Sequence, residues 1–162
     1  MTENASTKTL GFFTRLLEDA SATERYRYAL EQIEAAERLG FDSAWVAQHH
    51  FHAAEGGLPS PFLLLSAAAQ RTRRIGLATG VITLPMEDAV RVAEDAAVLD
   101  ELSGGRLQIG LGSGGNPASF EAFGADFAER GPAFGAKLET LETLWRGGGT
   151  AGGKRPTLPR RS

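Results

Sequence analysis

The sequence predicts an α/β chain of (β/α)8 TIM-barrel type holding only about the first four strand–helix units. It predicts a half-barrel followed by a disordered C-terminal tail. Three observations carry this. Short apolar runs alternate four times with stretches of helical periodicity, at spacings that suit βαβ crossovers and a parallel sheet. Each helical stretch has one apolar stripe and one charged face, so the helices cover the sheet from one side, as in a barrel wall. A complete barrel takes about 250 residues, and this chain has 162.

The elements follow in order. Leu10-Gly11-Phe12-Phe13 is a short strand-type run, and Ser21-Ala22-Thr23-Glu24 fits a capping box. Tyr26, Ala29, Leu30, Ile33, Ala36 and Leu39 follow at helical spacing, and Gly40 supplies a left-handed stop. A second strand runs from Phe41 to Ala47. Pro59 and Pro61 suit the opening turn of a helix that continues from Phe62 to Gln70. Arg71, Arg73 and Arg74 fall where the helix dipole favours positive charge. Ile75 to Leu84 is almost continuously apolar and β-branched, the pattern of a strand buried on both faces. Glu87 and Asp88 open a third helix through Val90, Ala93, Ala97 and Leu102, closed by Gly104-Gly105. Leu107 to Leu111 is the fourth strand, followed by a glycine-rich loop and a helix with Phe134, Leu138, Leu141 and Leu144 on one face.

Two segments are expected: residues 1–146 as the half-barrel and 147–162 as a Gly/Pro/Arg-rich disordered tail without apolar periodicity. The abrupt change of composition there suggests a reading frame that was cut or shifted, so a truncated chain is expected.

Composition narrows the function. A net charge of −3 and a pI near 5.6 argue against a nucleic-acid partner, which requires a basic surface. With no cysteine, disulfides, thiolate metal sites and cysteine nucleophiles are excluded. No apolar run reaches the roughly 20 residues a bilayer span needs. Met1 to Thr9 lacks the apolar core of a signal peptide, so a cytoplasmic location is expected.

In a parallel barrel, ligands bind at the C-terminal ends of the strands. Three features sit there. Gln48-His49-His50-Phe51-His52 ends the second strand, and clustered imidazoles can serve as acid–base groups, hydrogen-bond an anion or ligate a metal. His50 and His52 form an alternating pair, but carboxylates at ligand spacing are missing nearby, so no metal is expected. In Ala78-Thr79-Gly80-Val81-Ile82-Thr83-Leu84-Pro85, the glycine marks either close packing or the close approach of a ligand, and both readings stay open. Gly110-Leu111-Gly112-Ser113-Gly114-Gly115-Asn116 could cradle a phosphate or admit a flat ring. It lacks the Lys-Ser/Thr ending of a P-loop and the spacing of a dinucleotide fingerprint.

Together these segments resemble the bacterial luciferase-like flavin monooxygenases. The residues that carry the resemblance are Gly40 to Phe51, Thr79 to Pro85, Arg91 to Arg106, Gly110 to Gly115 and Phe120 to Gly124, in the family's order. The resemblance covers roughly residues 8–146 and is closest to the FMN-dependent branch, with deazaflavin as the less favoured cofactor. It implies that His49 is the active-site histidine facing the flavin's reactive edge. It implies a non-proline cis bond at Gly80-Val81 behind the flavin ring, with Thr79, Gly80 and Val81 binding the cofactor. It implies that Gly112, Ser113 and Gly114 border the flavin, and that Glu94 and neighbouring helix surfaces pair two copies in a homodimer. The expected reaction is oxidation of a small organic substrate by O2 with reduced flavin supplied by a separate reductase. Two positions depart from the pattern: Gln48 stands where many members have glutamate, and Ser113 where luciferase has an arginine. The alternatives are a truncated, non-catalytic fragment that binds flavin weakly or not at all, and a metal-dependent hydrolase using the histidine cluster. The substrate is not legible.

Overall fold

The computed structural model describes residues 8–147. Strand β1 (Gly11–Thr14) leads to helix α1 (Ala22–Arg38), β2 (Ser43–Val46) to α2 (Pro61–Arg71), and β3 (Gly76–Thr83) through a 3-10 turn (Leu84–Met86) to α3 (Ala89–Ser103). Strand β4 (Leu107–Gly112) is followed by a short α4 (Pro117–Ala122) and a long α5 (Arg130–Gly147). All strands are parallel, in the order β1-β2-β3-β4. This is the half-barrel wall that the alternation of elements predicts. The expected tail lies outside the described residues, apart from Gly147, which ends α5.

Local chemistry explains the boundaries. Ser21 accepts the Glu24 N–H while the Glu24 carboxylate accepts the Ser21 N–H, a complete capping box for α1. Asp88 caps α3 by accepting the Arg91 N–H, and Gly104 closes it at φ 70°. β2 and β3 are each shorter at both ends than their apolar runs, because the outer residues turn into the loops. Helix α4 was not expected: six residues carry too little periodicity to be read as a helix.

Alternation across the pleat sorts the strands' side chains. Phe12, Ala44, Leu77 and Leu107 lie in one register row and join the core cluster beneath the helices. That core also takes Ile33 of α1, Leu65 of α2, Leu99 of α3 and Leu141 of α5, all buried. The next row, Phe13, Trp45, Ala78 and Gln108, lies on the opposite, inner face. Phe13 is 54% exposed there.

Two groups tie the N-terminal ends of the strands. The Glu37 carboxylate accepts the backbone N–H groups of Arg73, Arg74 and Ile75 at 2.7–3.1 Å. Arg106 donates to the carbonyls of Ala69 (3.1 Å), Thr72 (3.3 Å), Ile75 (2.9 Å) and Ser103 (2.6 Å), closing the end of α2. A lysine lacks the planar fork for four carbonyls. Arg106→Ala is expected to cost about 2–3 kcal/mol in urea unfolding, and Arg106→Lys to recover less than half of that.

Candidate active site

Every βα loop leaves the sheet at one end, and a cavity of about 710 Å3 opens there. Its wall comes from the end of β2 (Gln48, His49, His50), from β3 (Gly80, Val81, Thr83) and from the β4 loop (Gly114, Gly115, Asn116). The volume lies within the range of small-molecule sites.

The β2 end is braced before it reaches the cavity. The Gln48 carbonyl oxygen accepts the Thr83 N–H at 2.7 Å, and its amide donates to a Glu87 carboxylate oxygen at 2.8 Å and the Pro59 carbonyl at 3.3 Å. One side chain thus joins the ends of β2 and β3, the start of α3 and the loop before α2. An amide suits this place because its donor faces a carboxylate; glutamate would oppose Glu87. Sequence reasoning saw Gln48 only as a missing acid, because its partners stand up to 39 residues away.

His49 N–H donates to the Leu58 carbonyl at 2.9 Å, which fixes the backbone. Its Nδ1 is buried without a partner, an arrangement that costs about 1–3 kcal/mol. Gly56 leaves the space: a Cβ there would overlap the His49 ring and approach the Arg15 carbonyl at 2.9 Å. The need for glycine at 56 was not legible. Burial pushes the His49 imidazole below its ordinary value; the Arg15 charge adds to the effect and Glu55 opposes it. His50 is lowered by burial first, opposed by Glu87 and assisted by His49. His50 is buried and His52 exposed, so the alternating pair does not share one environment. Among the described residues, no group of three or more His, Cys, Asp or Glu could hold a metal ion.

Both lowered imidazoles bind fewer protons folded than unfolded. Their contribution is complete above the unfolded value near 6.5 and is lost as pH falls below it. The melting temperature is therefore expected to drop between about pH 7 and pH 5, and His50→Phe to drop less over that interval. Circular dichroism melts at both values check this.

On β3, the Gly80–Val81 peptide bond is cis. The ladder is irregular at this point: Thr79 pairs with Ile109 and Ile82 with Leu111, so β3 carries one residue more than β4 between the two pairs. Thr79 is buried with its hydroxyl exchanging hydrogen bonds with the Gly110 N–H and carbonyl, both at 3.0 Å. It therefore lies behind the cavity wall. Gly112 is not in the cavity lining, but a Cβ there would stand 2.7 Å from a methyl of Val81, which lines it. Ser113 is exposed and does not line the cavity. Gly114 does line it, at φ 81°, and a Cβ would meet Thr83 at 2.5 Å and Phe120 at 2.8 Å. Of the residues singled out in the sequence, the cavity brings together His49, Gly80, Val81 and Gly114, and leaves Thr79, Gly112 and Ser113 outside its lining.

Across the mouth, the Asn116 amide donates to the Glu55 carboxylate at 3.2 Å while its oxygen caps α4. The β2 and β4 loops are joined there by residues 61 apart in sequence. The lining includes no lysine or arginine.

A family model described as luciferase-like monooxygenase matches residues 9–161. The 4-hydroxyprotoasukamycin monooxygenase of Streptomyces nodosus subsp. asukaensis is 38% identical over 118 residues, 73% of this chain and 32% of that protein. The oxygenase component of the flavin-dependent trigonelline monooxygenase of Acinetobacter baylyi is 28% identical over 138 residues, 82% of this chain and 37% of that protein. The crystal structure of the monooxygenase RslO1 from Streptomyces bottropensis superposes with a TM-score of 0.80 at 32% identity, covering 85% of this chain and 43% of that one. The chain thus spans less than half the length of these relatives.

Proposed function

The chain belongs to the luciferase-like monooxygenase family, and from that premise we propose that its cavity holds the ring of a reduced flavin, FMN by preference, for oxidation of a small organic substrate by O2. The observation that carries the reading is one wall in which glycines and an unpartnered, neutral histidine meet. Val81 and Gly114 give a flat surface with no side chain able to enter from position 114. His49 lines the same wall, with its buried Nδ1 turned to Gly56 behind it.

The ring fits these residues better than the phosphate does. With no lysine or arginine in the lining, the described residues offer a phosphate no fixed positive charge, only neutral donors such as Asn116, Thr83, Ser119 and backbone N–H groups. Bound flavin would supply the electrons that reduce O2. The protein's own part is to orient the ring against Gly80-Val81, hold His49 neutral at its edge and limit access by water. Thr79 acts from behind, by holding β3 to β4, and Gly112 leaves room for the Val81 side chain in the wall. Ser113 is assigned to the rim.

A separate reductase as electron source and a homodimer complete the proposal. Val90, Val98 and Leu102 of α3 are each about half exposed, close in sequence to Glu94, and support pairing through that helix. Titration of FMN with the purified chain tests the reading: flavin fluorescence should be quenched to saturation, and His49→Ala should weaken the quenching. Unchanged fluorescence at high protein concentration would favour a non-binding fragment.

A further inference from the structure

One cation supports the cavity from outside its lining. Lys137 of α5 is half-buried, and its Nζ donates to the carbonyls of Pro85 at 2.7 Å and Glu87 at 2.6 Å. Those two carbonyls stand on either side of Met86, the last residue of the 3-10 turn between β3 and α3. Met86 lines the cavity, and it also lines a second one of about 450 Å3, whose wall includes Lys137. Met86 is thus a partition held at both of its neighbours from α5. A second tether reaches the same segment from the end of β2. The Glu87 carboxylate accepts the Gln48 amide at 2.8 Å, and the Gln48 oxygen accepts the Thr83 N–H at 2.7 Å. Three residues of the cavity wall, Gln48, Thr83 and Met86, therefore depend on where residues 85–87 sit. Among the described residues Lys137 forms no ion pair, so its charge is directed at these two carbonyls.

We propose that Lys137 is a positioning residue for the cavity: by holding the carbonyls on both sides of Met86, it sets the part of the wall that Met86 presents to the ligand. An ammonium suits the place because three donors radiate from one atom, enough for two carbonyls of a single turn. The inference rests on the flavin reading only in naming the ligand.

The chain has two methionines, Met1 and Met86, so methyl-labelled methionine gives this wall its own NMR signal. In the full chain without ligand, Lys137→Leu is expected to move the Met86 methyl resonance. FMN affinity should fall about tenfold, the equivalent of about one charge-assisted hydrogen bond. Lys137→Arg, which keeps donors for both carbonyls, should restore the resonance and bring the affinity back to within about threefold. A lysine that only stabilises the fold would lower the urea midpoint and leave both the resonance and the affinity of the folded protein unchanged. That result would overturn the proposal, as would an affinity loss that Lys137→Arg repeats in full. If Lys137→Leu does not fold, Lys137→Gln, with a shorter and neutral donor, should show both effects in part; an unmoved Met86 there overturns the proposal equally. Should the unmodified chain fail to bind FMN, only the flavin reading falls, and the Met86 resonance of the ligand-free variants still decides the role of Lys137.

Discussion

Gly110→Ala is expected to destabilise the chain by about 4 kcal/mol, at the upper end for a single substitution. The added methyl would overlap the Thr79 carbonyl oxygen, which is backbone and has no rotamer to escape into. Relief requires β4 to move off β3. That movement breaks both hydrogen bonds between the Thr79 hydroxyl and Gly110, and leaves a buried threonine unpaired. Urea unfolding of the variant should show a lower midpoint, or no folded baseline at all. A loss under about 1 kcal/mol would mean that the two strands are not this close.

Gly114→Ala acts on the cavity more than on the fold. Its φ of 81° strains any side chain, and the new methyl meets Thr83 and Phe120 at 2.5 and 2.8 Å. Phe120 is 1% exposed and cannot retreat into the core, so the loop must lift instead. FMN affinity is expected to fall at least about tenfold, with a stability loss of only about 1–2 kcal/mol. Parallel flavin titrations and thermal melts read the two effects separately. Equal affinity in both proteins would remove the β4 loop from the binding wall.

Much of the fold was legible because it rests on local chemistry. Ser21 and Glu24 announce a helix start, Gly104 a helix stop, and the period of the apolar residues separates strand from helix. The site was only partly legible. His49 and Gly114 stand just past strand ends, where a barrel places its chemistry, and Gly80 stood out as a glycine inside a buried strand. Thr79 could have been assigned to the rear by strict alternation, since Ala78 and Gly80 flank it. The reasons for glycine at 56 and 112 lie in side chains that arrive from other elements, the His49 ring and the Val81 methyls. The Gln48 brace and the Glu55–Asn116 link are equally distant in sequence. Helix α4 did leave a signal, an asparagine cap followed by Pro117. Its length hid it.

The central claim is that flavin lies against Gly80-Val81 and beneath His49. Amide and methyl NMR of the full chain during FMN addition tests this most directly. The expected result is a saturable shift of the Val81 methyls, the Gly114 and Gly115 amides and the His49 ring, with Leu63 and Tyr26 on the outer helices unmoved. Shifts centred on Leu63 and Tyr26, or none at saturating FMN, would contradict it.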